Sequence, residues 1–313
     1  MTTKSRLIIV AAILAGLFSY AEQLAIATEV PNLVRRALGK GKPAADINTL
    51  DEVSDSSWFT RAHSRTTSGM APDLSHALVT GIQAGNGSPR IMVRDAAGVN
   101  YMLKFDGVGS GGFQSATDMV IARILSASGY NVPETYIEYV DARKLEISSD
   151  ASLSRAQLED LLKGVAKGEG GRYRALVTAF VDGSIDAKDT IPAQERRELR
   201  ALSMFVAWIS PQTKDSRSIA EEAWGYPSVP AEALTAQDAF WAVRIILSFA
   251  EPQLRSIVES AEYRDTKTAD EVLHELLERR QKLAILSLSK VDALSDFSVS
   301  SALDGVALSF HDL

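Results

Sequence analysis

Apolar and polar positions first fall into a regular pattern at residues 90–105. Ile91 and Val93 alternate with Arg90, Met92 and Arg94, and Tyr101, Leu103 and Phe105 alternate with Asn100, Met102 and Lys104. A period of two predicts strands, and Asp95-Ala96-Ala97-Gly98 between them is turn chemistry, so the pair predicts a hairpin over 90–94 and 99–105. The period then lengthens. Met119, Val120, Ile124 and Leu125 have helical spacing within 115–128, and Gly129 is a C-terminal stop. Residues 135–140 and 173–181 are β-prone. Ser154 and Gln157 make a capping box for a helix over 154–163. Residues 193–209 predict a helix whose buried stripe is Leu199, Leu202, Phe205, Val206 and Ile209. After it come helices alone, at about 235–247, 251–262 (with Pro252 in its first turn) and 268–288. Strands with one or two short helices, followed by helices only, predict an α+β fold. Its parts are a small antiparallel β-rich lobe over 58–182, a helical lobe over 183–295 and a tail over 296–313. The opening strand–turn–strand argues against a doubly wound parallel sheet.

The N-terminus reads differently. Lys4 and Arg6 precede twelve unbroken apolar or small residues, 7–18, too few to span a bilayer untilted. They fit a secretory signal over 1–27, cleaved after Ala27 or alternatively Ala21. The expectation is an exported protein, periplasmic or extracellular. The alternative is an uncleaved anchor, the one membrane contact expected. Residues 28–57 show neither period and predict an extended, mostly exposed leader.

Composition narrows the chemistry. Of 313 residues 46% are hydrophobic and 23% charged, with a net charge of −7. An acidic chain offers no basic field for phosphate backbones, which excludes nucleic acid as the expected partner. Cysteine is absent, which removes disulfides, thiolate metal sites and a cysteine nucleophile. His63, His76, His274 and His311 are scattered, and His274-Glu275-Leu276-Leu277-Glu278 lacks the second histidine of a zinc-protease helix, so no metal site is expected.

Three features carry chemistry. Gly107-Val108-Gly109-Ser110-Gly111-Gly112 has dinucleotide-loop spacing between a strand and a helix, but a flexible strand-to-helix linker is the expected reading, because the preceding strand ends in Lys104-Phe105-Asp106 and the chain lacks alternating βα units. Lys104 lies out of phase with Tyr101, Leu103 and Phe105, and a helix bearing Asp118 follows. A strand lysine oriented by an acid on the next helix is how kinases hold nucleotide phosphates; a solvent-facing lysine is the alternative. Asp215 follows the 193–209 helix in a polar loop, where a catalytic aspartate or ordinary turn chemistry would both fit.

A resemblance gathers these residues. Asp51-Glu52-Val53 with Asp55-Ser56-Ser57-Trp58-Phe59-Thr60, Tyr101-Met102-Leu103-Lys104-Phe105-Asp106 and Gly129-Tyr130-Asn131-Val132-Pro133-Glu134 occur in that order. So do Gly171-Arg172-Tyr173-Arg174-Ala175, Glu195-Arg196-Arg197-Glu198-Leu199-Arg200 and Phe205-Val206-Ala207-Trp208. Asp215-Ser216-Arg217-Ser218-Ile219, Asp238-Ala239-Phe240-Trp241-Ala242 and Glu278-Arg279-Arg280 complete the series. The order resembles a family of uncharacterised, mostly exported bacterial proteins with a distant HipA-type, protein-kinase-like fold, over most of residues 50–295. The resemblance implies nucleotide contact through Lys104 and Asp118 and a catalytic role for Asp215. The position where the pattern has its helix glutamate falls at Asp118 or at Met119, and in the second case Asp118 is only its neighbour.

The chain departs from that pattern where metal would bind. Ala220 stands five residues past Asp215, where the pattern has asparagine, and residues 221–234 contain no Asp-Phe-Gly-like turn. Glu221 and Glu222 are the only nearby acids. A shortened, non-catalytic member acting as a binding or scaffold protein is therefore expected. Its partner would be an unidentified protein or small molecule, and no cofactor is expected. The alternatives are an ATP- and Mg²⁺-dependent phosphotransferase using Lys104 and Asp215, and a dinucleotide or small-molecule binder using the Gly107–Gly112 loop.

Overall fold

The structure is a computed structural model that describes residues 53, 56, 58–60, 72–83, 88–110, 112–179, 196–209, 229, 231–291, 294–302 and 305–312. The expected signal segment, nearly all of the leader, and Asp215, Ala220, Glu221 and Glu222 lie outside the described residues.

The architecture is α+β, with a mixed six-stranded sheet and, among the described residues, six α-helices. In chain order these are β1 (Leu78–Gln83), β2 (Arg90–Arg94), β3 (Asn100–Phe105), α1 (Phe113–Ala127), β4 (Thr135–Val140), β5 (Glu146–Ile147), α2 (Arg155–Leu162) and β6 (Tyr173–Ala179). Then come α3 (Arg197–Ile209), α4 (Ala236–Ser248), α5 (Glu251–Ser260), α6 (Thr266–Leu288), β7 (Leu294–Ala302) and β8 (Gly305–Asp312). The sheet order is β4-β6-β3-β2-β1-β5. Every pair from β4 to β1 is antiparallel; β5 joins β1 in parallel, so the expected all-antiparallel sheet is corrected to a mixed one.

The alternation at 90–105 gives the expected hairpin, with Arg90 opposite Lys104 and Val93 opposite Tyr101. Ile91, Val93, Tyr101, Leu103, Phe105, Ala175 and Val177 share one face and are buried with Leu158 and Leu162 of α2. Ser154 and Gln157 form the expected capping box of that helix. The opposite face meets α1. Leu176 belongs to the second core, which joins α1 to α3, α4, α5 and α6. β6 lies between β3 and β4 and is buried on both faces at Ala175, Leu176 and Val177, as an interior strand should be.

The helical core is built on aromatic contacts. Phe205 is fully buried, its ring 5.2 Å from Tyr130 and 6.5 Å from Trp241, both edge-on. Phe59 meets Tyr130 at 5.5 Å, also edge-on. Gly129 makes this approach possible: its φ is +100°, and a Cβ there would sit 2.8 Å from the Phe59 ring. The predicted stripe of α3 is buried at Leu199, Leu202, Phe205 and Ile209, with Val206 packed at its edge; Met204 and Trp208 widen it.

Many residues that carry the resemblance turn out to brace this core. Asp238 is fully buried between α3 and α4, with Arg197 Nε at 3.2 Å and Arg200 Nε at 2.7 Å. It also completes the α4 capping box by accepting from the Thr235 backbone N–H at 3.0 Å. Arg279 donates to the carbonyls of Trp208 and Ile209 at the end of α3, and Arg280 to that of Phe249. Such bonds satisfy carbonyls that a helix leaves open at its C-terminus.

Three segments differ from expectation. β1 precedes the residue-90 hairpin and was not apparent in the pattern. Val53 of the supposedly exposed leader is buried, 2% exposed, in the helical core. The segment taken as a tail holds an antiparallel ribbon, with Val299 opposite Leu308. Among the described residues no helix is long and apolar enough to cross a membrane.

Candidate functional site around Lys104

Lys104 is on β3, on the face turned toward α1, because its neighbours Leu103 and Phe105 occupy the opposite core. Its Nζ donates to Asp118 Oδ2 at 2.5 Å. The ammonium side chain is 25% exposed and the carboxylate 12%, so the pair sits at the rim of the protein interior. Asp118 shares the buried face of α1 with Ser115, Ala122 and Leu125. Asp118 is the residue that meets the lysine, and Met119 beside it is a core residue, 2% exposed.

Burial is the largest influence on the Asp118 carboxyl and raises its pKa above the ordinary value. Lys104 and Arg90 pull the other way, and Asp106 adds to the rise. The lysine therefore stabilises a carboxylate that burial disfavours, and the carboxylate fixes the lysine's position.

Asp106 directly follows β3 and anchors the start of α1. Its Oδ1 accepts from the Ser115 backbone N–H at 2.9 Å and its Oδ2 from the Ser115 hydroxyl at 2.5 Å. Arg174 of β6 donates Nε–H to the Ser115 oxygen at 3.0 Å and Nη2–H to the Ala261 carbonyl at 2.6 Å, and Nη1 to the Glu262 carbonyl. A polar chain thus runs from the end of β3, through α1 and β6, to the turn after α5.

The glycine-rich segment lies here as a strand-to-helix connection. Gly112 is the N-cap of α1 with φ +87°, which reserves the position for glycine. The backbone N–H groups of Phe113 and Ser115 are already bonded, to the Ser110 carbonyl and to Asp106. These are the groups a pyrophosphate would need from a dinucleotide loop, and β3 lies between two antiparallel neighbours.

Of the residues singled out from sequence, Lys104 and Asp118 are brought together, whereas Asp215 lies outside the described residues. His274 is exposed on α6 and faces Glu278 at 3.4 Å. Among the described residues no group of three or more His, Asp or Glu converges on a point. Sequence reasoning did not find Asp106, Ser115 and Arg174, whose association spans 59 residues between Ser115 and Arg174. The signal available was two polar residues, Ser115 and Asp118, on the otherwise apolar face of α1. No family model matches the chain, and no curated protein or solved structure is similar to it.

Proposed function

We propose that this chain is a kinase-like protein that binds rather than phosphorylates, a shortened relative of the HipA-like proteins that it resembles, working outside the cytoplasm. The observation that carries the reading is the 2.5 Å pair between Lys104 on β3 and Asp118 on the next helix. In protein kinases a strand lysine paired to an acid on the following helix holds the nucleotide phosphates. The antiparallel run β1-β2-β3-β6-β4 beneath α1, followed by helices, is a compatible frame.

The argument against catalysis is chemical. Phosphoryl transfer depends on divalent ions bridging the phosphate oxygens, and their protein ligands supply most of the electrostatic stabilisation. Ala220 brings no ligand, and residues 221–234 offer no metal-binding aspartate turn. A lysine contributes one point charge and cannot replace a bridging ion. Export, the reading of residues 1–27, also takes a protein away from ATP. The phosphotransferase alternative would have to recruit Glu221 or Glu222 as metal ligands.

The test is autophosphorylation and ATP turnover with Mg²⁺ or Mn²⁺, comparing the native protein with Lys104→Ala and Asp215→Ala. No turnover is expected from any of the three. Turnover in the native protein that both substitutions abolish would overturn the reading in favour of the phosphotransferase.

A further inference from the structure

We propose that the cleft at the β3–α1 end of the sheet binds a small polyanion carrying two or more phosphate or carboxylate groups. This cleft encloses about 1050 Å³, at the upper end of the range for small-molecule sites. Gly109 and Gly112 form one wall, and Lys167, Arg172, Arg174 and Arg264 bring four cations to it against two acids, Asp106 and Glu262.

Both acids are bonded to neutral donors rather than ion-paired with these cations. Asp106 is committed to Ser115 through both oxygens, and Glu262 accepts from the Tyr139 hydroxyl at 3.0 Å. Arg174 is committed as well, to Ser115 and to the carbonyls of Ala261 and Glu262. Lys167, Arg172 and Arg264 make no carboxylate ion pair among the described residues, although Arg264 lies within the electrostatic reach of Asp265. Lys167 lies over the Tyr173 ring at 5.7 Å and Arg172 over the Tyr139 ring at 5.9 Å. The charged heads themselves, the Lys167 Nζ and the Arg172 guanidinium carbon, lie over these rings, which positions them while their N–H donors stay open to a ligand.

Four cations facing two carboxylates give this concave surface a local positive excess in a chain of net charge −7. The cations repel one another until an anion enters, and a concave wall concentrates their field. Of the three guanidinium groups, those of Arg172 and Arg264 supplement Lys167 with planar donor pairs suited to oxyanions. The cleft is local and the rest of the chain acidic, which suits a small ligand better than a nucleic acid. Lys104 is not among the residues lining it, so the proposal is independent of the nucleotide pair.

Calorimetric titration of the full chain with tripolyphosphate and, separately, citrate, without divalent metal, tests it; the two arms tell phosphate from carboxylate chemistry. The expected result is saturable binding of at least one, weakened about tenfold or more in Lys167→Ala/Arg264→Ala. Lys282→Ala, at an exposed lysine of α6 outside the cleft, is expected to bind as the native protein does. Both substituted positions in the double variant are exposed, so its thermal unfolding should match the native protein's. Binding of neither probe, binding unchanged in the double variant, or binding lost in Lys282→Ala would each overturn the proposal.

Discussion

Phe205→Ala is expected to destabilise the protein by about 3–5 kcal/mol in chemical denaturation. The side chain is 0% exposed, and its ring is the meeting point of Tyr130, from the chain after α1, and Trp241 of α4. Truncation removes the transfer free energy of the ring and leaves a cavity. That cavity cannot collapse easily, because its walls are fixed from several directions. Tyr130 is held by its hydroxyl bond to the Glu198 carbonyl at 2.8 Å, and Phe59 by edge-on contact with Tyr130. Phe205→Leu, which keeps most of the volume, should cost clearly less. A loss below about 1 kcal/mol for Phe205→Ala would mean that this face of α3 is not the core described above.

Asp238→Ala is expected to cost a similar amount, about 3–5 kcal/mol, for an electrostatic reason. Asp238 bonds to the largely buried guanidinium groups of both Arg197 and Arg200. Without it both groups lose this carboxylate inside the protein and α4 loses its capping box. Asp238→Asn keeps the shape and an acceptor oxygen, so the difference between the two variants separates charge from hydrogen bonding.

The same carboxylate gives the acid limb of stability a definite sign. Burial pushes the Asp238 pKa up, but bonds from Arg200 and Thr235 outweigh it, and the group is held below its ordinary value. A depressed carboxylate contributes stability that is complete above the unfolded pKa of about 4 and lost as pH falls through the folded value. Asp118 has the opposite sign, since burial raises it: protonation there relieves a cost as pH falls toward about 4. Denaturation midpoints measured against pH should therefore drop most steeply below about pH 4, and Asp238→Asn should flatten that drop.

The parts of this structure that could be read in the sequence are those governed by local period. The 90–105 hairpin, α1 with its Gly129 stop, the capping box of α2 and the stripe of α3 all follow from alternation, helical spacing or cap chemistry. β1 escaped because its pairing with β2 shifts register between Val79 and Gly81, which breaks the alternation. The Gly81 position is also tied to its partner strand: a Cβ there would meet Met92 Cε at 2.6 Å. β5 has only two residues, and the serine-rich β7–β8 ribbon has little apolar contrast to read.

The candidate site divides in the same way. Lys104 was visible because a lone cation stood out of phase with an apolar face. That Asp118 meets Lys104 while Met119 enters the core depends on the rotation of α1 against β3, which is set by packing with distant helices. The pairing of Asp106 and Arg174 through Ser115, and the gathering of Lys167, Arg172 and Arg264 at one cleft, arise from strand order. Neither follows from the spacing of residues along the chain. Tertiary placement also changed the meaning of residues behind the resemblance: Arg197, Arg200, Asp238 and Arg279 hold helices together.

Whether Lys104 and Asp118 belong to a metal-dependent nucleotide site is decided by calorimetric titration of ATP into the native protein and into Lys104→Ala, each with and without Mg²⁺. The account predicts no Mg²⁺-dependent ATP binding in either protein; any metal-independent affinity should persist in Lys104→Ala, because the cationic cleft is lined by other residues. Saturable ATP binding that requires Mg²⁺ and disappears in Lys104→Ala would contradict the account.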